Sequence, residues 1–125
     1  ECDGDVCTPP RWERLECSGT PPCPRDGHAA MLLPDGRTML VVGGFDGKRC
    51  FNDVHALDTE TLAWRKLDAR GEAAPAPRYL HAAQPCDGGF LLFGGYVDGQ
   101  EPPFENDAWR FRLEAEVEAG EAEAE

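Results

Sequence analysis

Apolar positions in this chain fall in short runs separated by turn-forming residues. Ala29 to Leu33 is the first run, stopped by Pro34-Asp35-Gly36, a turn signal. Thr38 to Val42 is apolar after its first residue and bounded by Gly, which predicts a strand buried on both faces. Val54 to Leu57 is a third run, closed by Asp58-Thr59-Glu60-Thr61, and Leu62 to Leu67 is a fourth. Phe90 to Phe93 repeats the second run after Asp87-Gly88-Gly89. Nothing before residue 114 shows a sustained helical period. Four short strands joined by tight turns predict an antiparallel meander.

The pattern recurs at a nearly fixed interval. Gly43-Gly44 returns as Gly94-Gly95 after 51 residues, Trp12 as Trp64 and Gly19 as Gly71 after 52. Arg25 and His28 return as Arg78 and His81 after 53, and Asn52-Asp53 as Asn106-Asp107 after 54. The drift is what loop insertions produce, and a period near 50 residues is that of a propeller-forming repeat. In the ordered set Arg-x-x-His, apolar-Gly-Gly, Asn-Asp-Val, Trp, Gly, Pro-x-Arg, the chain resembles the kelch family from Arg11 to Leu113. The resemblance implies an all-β, kelch-type β-propeller segment of about two four-stranded antiparallel blades, one complete and one partial.

The implied organisation is an extension over residues 1–10, then an orphan fourth strand (Arg11–Glu16) with its linker to residue 24. A complete repeat with its linker spans 25–77, a partial repeat 78–113, and an acidic tail 114–125, expected to be disordered. Arg25, His28, Gly43, Gly44, Trp64, Gly71, Arg78, His81, Gly94 and Gly95 form the structural signature. Glycine at the end of a buried strand permits positive φ or close backbone approach, and Trp64 is expected to be buried against a neighbouring blade. Two blades leave two faces open, and fewer than about three repeats are rarely stable alone. The segment is therefore expected to belong to a larger propeller or an assembly. Arg11–Glu16 is expected to pair with nothing in the last repeat, leaving Asp107 to Leu113 as an exposed edge with Trp109 and Phe111 uncovered.

Composition narrows the function classes. The 24 acidic against 12 basic residues oppose binding to a phosphate backbone, and no run approaches the ~18 apolar residues of a membrane helix. Six cysteines (Cys2, Cys7, Cys17, Cys23, Cys50, Cys86) do not repeat between units and lack zinc spacing. Most read as free thiols of an intracellular protein, with Cys2–Cys7 or Cys17–Cys23 bridges left open. His28 and His81 share a repeat position, which explains them structurally without a metal; His55 is expected to face solvent or a neighbouring blade. Asp53 and Asp107 are expected to shape turns. Ser18, the one serine, has no nucleophile elbow. Copper oxidases and an iron-dependent group are related to kelch propellers, but neither a Tyr–Cys–His constellation nor a Glu-x-x-x-Asp-x-x-x-His signature occurs. No cofactor or catalytic residue is called for.

In a meander, the connections between strands two and three share one end with the links between blades. Long loops on a rigid scaffold are where function concentrates. That end holds Phe45 to Phe51 and Tyr96 to Glu105, with Asp46, Lys48, Arg49, Tyr96, Asp98, Glu101 and Phe104 as candidate binding residues. Tyr96 and Phe104 are expected to be more exposed than Leu92 and Phe93. The leading expectation is a non-enzymatic module that binds another protein. The alternative is the scaffold of a galactose-oxidase-like or other kelch-containing enzyme whose catalytic residues lie elsewhere.

Overall fold

The computed structural model describes residues 8–69 and 73–113. The acidic segment 114–125, Gly71, Cys2 and Cys7 lie outside them. Strand β1 is Ser18–Gly19, β2 Ala29–Leu32, β3 Thr38–Phe45, β4 Cys50–Asp58 and β5 Ala63–Leu67. These form one sheet in the order β1-β5-β4-β3-β2, antiparallel except for the β1–β5 pair. A second, antiparallel sheet contains β6 (Ala82–Cys86), β7 (Gly89–Phe93) and β8 (Ala108–Arg112). The first is a complete four-stranded blade with an added short strand, and the second holds the first three strands of the next blade.

Side-chain alternation along each strand sorts the apolar residues onto two faces. Met31, Leu40, Val42, Val54 and Ala56 of blade 1 are buried with Phe90 and Leu92 of blade 2, so the core lies between the blades. Trp109 and Phe111 pack half-buried against it. They are therefore covered by blade 1, contrary to the expectation that they lack cover, although β8 is an edge strand among the described residues.

Three further expectations are corrected. Arg11–Glu16 forms no strand, and Trp12 is 99% exposed. The short strand instead lies at Ser18–Gly19, where Gly19 sits so close to the Trp64 carbonyl that a Cβ would collide with it. Trp64 is half-buried and aligned with Leu57 and Met39. Parity puts that row on the face of blade 1 away from blade 2, so no second blade covers it among the described residues. His55 is buried, with its Nε2 3.0 Å from Asp53 Oδ2.

The glycine pair bends β3. The β3–β4 register shifts between Val42 and Gly44, and Gly43 takes φ of 68°. A bulge glycine in the left-handed region fits this geometry. The loop expected over Phe45 to Phe51 is correspondingly short: β3 runs to Phe45 and β4 starts at Cys50.

Candidate functional site: the loop end of the blades

The loop end is fixed by two copies of one ionic bracket. Arg25 Nη1 donates to Asp53 Oδ1 at 2.6 Å and to the Gly43 carbonyl at 3.0 Å, while Nη2 donates to Asp53 Oδ2 at 3.1 Å. Arg78 repeats this with Asp107 at 2.7 and 3.1 Å and the Gly94 carbonyl at 2.8 Å. A third donor completes each carboxylate: His55 Nε2 lies 3.0 Å from Asp53 Oδ2, and Trp109 Nε1 donates to Asp107 Oδ2 at 2.8 Å. Asp53 and Asp107 thus hold the entry arginines of their blades, where turn formation was expected. The sequence carried the signal in the near-equal separations from Arg25 to Asp53 and from Arg78 to Asp107, 28 and 29 residues.

Blade 2 docks on blade 1 through the same segment. Arg78 N donates to the Phe51 carbonyl at 3.0 Å, and the Arg78 carbonyl accepts from Gly44 N at 2.9 Å. His81 Nε2 is 3.0 Å from the Val42 carbonyl, and the missing Cβ of Gly43 makes room for its ring. His81 is buried, whereas His28, at the same repeat position, is exposed. The repeat reading of both histidines as structural accounts for His81, whose counterpart His28 has no blade beside it among the described residues.

An aromatic ladder crosses this end. Phe45 stacks on Tyr79 at 4.8 Å between ring centroids, Tyr79 meets Tyr96 at 5.1 Å, and Tyr96 meets Phe104 edge-on at 5.7 Å. Reciprocal backbone bonds between Tyr79 and Tyr96, at 3.1 and 2.8 Å, hold the centre. Phe104 is 71% exposed at the end of the ladder. Sequence reasoning selected Tyr96 and Phe104 and missed Phe45 and Tyr79, whose positions follow from blade docking. Tyr96 is half-buried while Phe93 is 55% exposed, which reverses the order expected for that pair; Leu92 is buried as expected. Phe93 lies on the open face of blade 2, opposite in parity to Leu92.

The charged candidates surround the ladder. Asp46, Lys48 and Arg49 are exposed in the β3–β4 turn, where Asp46 Oδ1 accepts from Lys48 N and Arg49 N, both at 2.9 Å. Those two donors hold the Asp46 carboxyl below its ordinary pKa. Arg49 and Arg25 both lie over the Phe51 ring, at 5.3 and 4.2 Å, within cation–π range. Asp98 and Glu101 are exposed in the loop between β7 and β8. The structure therefore joins Tyr96 to Phe104 directly, keeps Asp46, Lys48 and Arg49 in one turn beside Phe45, and leaves Asp98 and Glu101 outside any ion pair among the described residues. No group of three or more His, Cys, Asp or Glu among the described residues is arranged to hold a metal, and Cys17, Cys23, Cys50 and Cys86 are unbridged.

Beside the lowered carboxyls of Asp46, Asp53 and Asp58, His81 and Asp107 each contribute a descending limb to the pH dependence of stability. Burial, together with the Arg78 and His28 charges, lowers the His81 pKa despite its bond to Val42. On acidification the unfolded chain takes up that proton first, so stability falls once the pH drops below ~6.5. The bond from Arg78, with that from Trp109, lowers the Asp107 pKa to about 2. That pair contributes fully above the unfolded carboxyl pKa of ~3.9 and is lost as the pH falls through the folded value. Urea unfolding from pH 7 to 2 should show both limbs. His81→Gln should flatten the first, and a first limb unchanged in that variant would reject the assignment.

The comparisons agree with this architecture. Residues 7–119 match the model of the KLHDC2/KLHL20/DRC7 Kelch-repeats domain. The chain is 46% identical over 88 residues to Serine/threonine-protein phosphatase BSL2 of Arabidopsis thaliana, covering 69% of this chain and 8% of that protein. It is 42% identical over 97 residues to Acyl-CoA-binding domain-containing protein 6 of Oryza sativa subsp. japonica, covering 76% and 14%. It is 36% identical over 99 residues to Kelch domain-containing protein 3 of Homo sapiens, covering 78% and 25%. The chain thus spans a quarter or less of each of these three relatives. With the bracketed arginines, the paired glycines and the four-stranded blade all in place, this chain belongs to the kelch-repeat family.

Proposed function

We propose that this chain is a non-catalytic binding module that recognises another protein through the loop end of its blades. The observation that carries the reading is the aromatic ladder from Phe45 to Phe104, whose last ring is exposed, with Asp46, Lys48 and Arg49 in the turn at its Phe45 end and Asp98 and Glu101 in the loop that carries Phe104. Aromatic anchors ringed by polar groups are the composition of energetic hot spots at interfaces. The brackets at Arg25 and Arg78 give this surface a rigid base, which lowers the entropic cost of binding. The opposite end offers short turns at Pro34 to Arg37, Asp58 to Thr61 and Asp87–Gly88, with no comparable aromatic surface among the described residues. The net acidity directs the choice of partner toward proteins and away from nucleic acid.

Peptides selected from a displayed random library for binding to the chain provide the probe. Phe104→Ala should weaken the selected peptides at least about tenfold, and Thr59→Ala at the opposite end should leave them unchanged. Equal losses at both ends, or selected peptides indifferent to Phe104, would refute the assignment.

A further inference from the structure

The seam between the two blades carries an aromatic surface with acids at its margins. Phe45 ends β3, Tyr79 lies in the segment that opens blade 2, and Tyr96 follows β7. Phe45 and Tyr79 stack at 4.8 Å with 18° between their planes, and Tyr79 meets Tyr96 at 5.1 Å and 55°. All three are half-buried, so each keeps part of its surface in water. The residues that frame this surface lie between Asp26 and Asp98 and come from both blades, so it does not depend on what precedes residue 8 or follows residue 113.

The carboxylates come one from each blade. Asp26 is tied to Phe45 by reciprocal backbone hydrogen bonds, both at 2.9 Å. Asp98 follows Tyr96 by two residues, next to Val97, whose N–H donates to the Pro103 carbonyl at 2.8 Å. Both aspartates are exposed, and neither enters an ion pair among the described residues. Burial raises the Tyr79 hydroxyl pKa, and Tyr96, Cys50, Asp98 and Asp26 push it the same way, so both carboxylates lie within electrostatic reach of that ring. Lys48 and Arg49 belong to the β3–β4 turn beyond Phe45, where Arg49 sits over Phe51. The basic groups are thus at the end of the ladder away from Tyr96.

We propose, resting on the protein-binding reading above, that this seam takes an arginine side chain of the partner protein, its guanidinium lying on Tyr79 and Tyr96 between the Asp26 and Asp98 carboxylates.

The chain itself shows how these group types hold a guanidinium. Arg25 lies 4.2 Å over the Phe51 ring and forks onto both oxygens of Asp53. An aromatic face and a carboxylate together satisfy the flat surface and the in-plane donors of one guanidinium. The seam offers the same two groups toward solvent, without an internal arginine to occupy them among the described residues. The ring spacings decide against a quaternary ammonium. Such a cation enters a cage of separated rings, whereas Phe45, Tyr79 and Tyr96 are in direct contact and present a stepped platform. A planar group can lie on that platform. A lysine ammonium would meet the charge but not the plane.

The displayed random library, selected on the full 125-residue chain, tests this. Selected peptides that depend on Phe104 should carry an arginine. In synthetic copies, citrulline at that position, which keeps the shape and removes the charge, should weaken binding at least about tenfold, and lysine at least about threefold. Asp98→Asn should weaken the arginine peptide by several-fold yet leave the citrulline copy nearly unaffected, the non-additivity expected of groups in contact. Asp87→Asn, the same charge change at the opposite end of the blades, should leave binding unchanged; a general attraction of cations to an acidic chain would lower it as Asp98→Asn does. Phe104-dependent peptides that lack arginine, or that tolerate citrulline or lysine without loss, would overturn the proposal and leave the protein-binding reading standing. Additive losses, or equal losses for Asp98→Asn and Asp87→Asn, would overturn it as well. Selected peptides indifferent to Phe104 would overturn both.

Discussion

Arg78→Ala is expected to lower the unfolding free energy by about 3–5 kcal/mol, much of the ~5–15 kcal/mol of a typical domain. The Arg78 side chain is only 2% exposed. Its guanidinium neutralises Asp107, caps the Gly94 carbonyl and bonds the Ala76 carbonyl at 3.0 Å. Its removal takes that donor from the Gly94 and Ala76 carbonyls, leaves Asp107 with Trp109 in place of its ion pair, and empties a buried space, and unsatisfied buried polar groups are costly. Arg78→Lys should recover little, because one ammonium cannot reproduce the planar fork that serves two carboxylate oxygens and a carbonyl together. The backbone of residue 78 joins the blades to Phe51 and Gly44, so the loss should also loosen the loop end. Chemical denaturation of the three proteins measures the effect. A loss below about 1 kcal/mol for Arg78→Ala, or full rescue by lysine, would show that the bracket contributes little.

Gly43→Ala is expected to cost about 2–5 kcal/mol, and Gly94→Ala about 1–2 kcal/mol, although the two residues occupy one repeat position. Both take positive φ, 68° and 75°, which a Cβ makes unfavourable. At Gly43 the added carbon would also lie 2.6 Å from His81 Cε1 and 3.0 Å from the Arg78 carbonyl. His81 would have to move, breaking its bond to Val42 and opening the blade interface. At Gly94 no neighbour comes closer than 3.4 Å, so the backbone strain stands alone. Thermal or urea unfolding of the two variants should separate them; equal destabilisation would mean that His81 accommodates the methyl group freely.

Much of this architecture is written in local residues. The apolar runs fixed by Gly, Pro and Asp predicted β2, β3, β5 and β7 to within a residue or two at most ends, because a buried strand and its turns are specified by a few neighbours. Strand β3 runs three residues past its predicted end, since the bulge at Gly43 lets pairing resume at Gly44. The recurrence of Arg-x-x-His and Gly-Gly disclosed the two blades and their end-to-end order. Local pattern failed where a residue's state depends on what lies against it. Arg11–Glu16 has the composition of β5, but a strand exists only by hydrogen bonding to an edge, and among the described residues no edge pairs with it. Trp12 and Trp64 are the same signal in two environments, one fully exposed and one half-buried.

The candidate site divides the same way. The sequence by itself determined which end of the blades carries the connecting loops, since strand order and turn length set that, and it selected Tyr96 and Phe104 within those loops. Only the tertiary structure decided that Asp53 and Asp107 clamp arginines 28 and 29 residues earlier, and that Phe45 and Tyr79 belong to the same ladder. It also decided that Phe93 faces outward while Val42, its repeat partner, is buried. The physical reason is that ion pairs, ring stacking and burial are relations between segments distant in the chain. A one-residue change in facing, or one neighbouring blade more or fewer, reverses them without altering any local pattern.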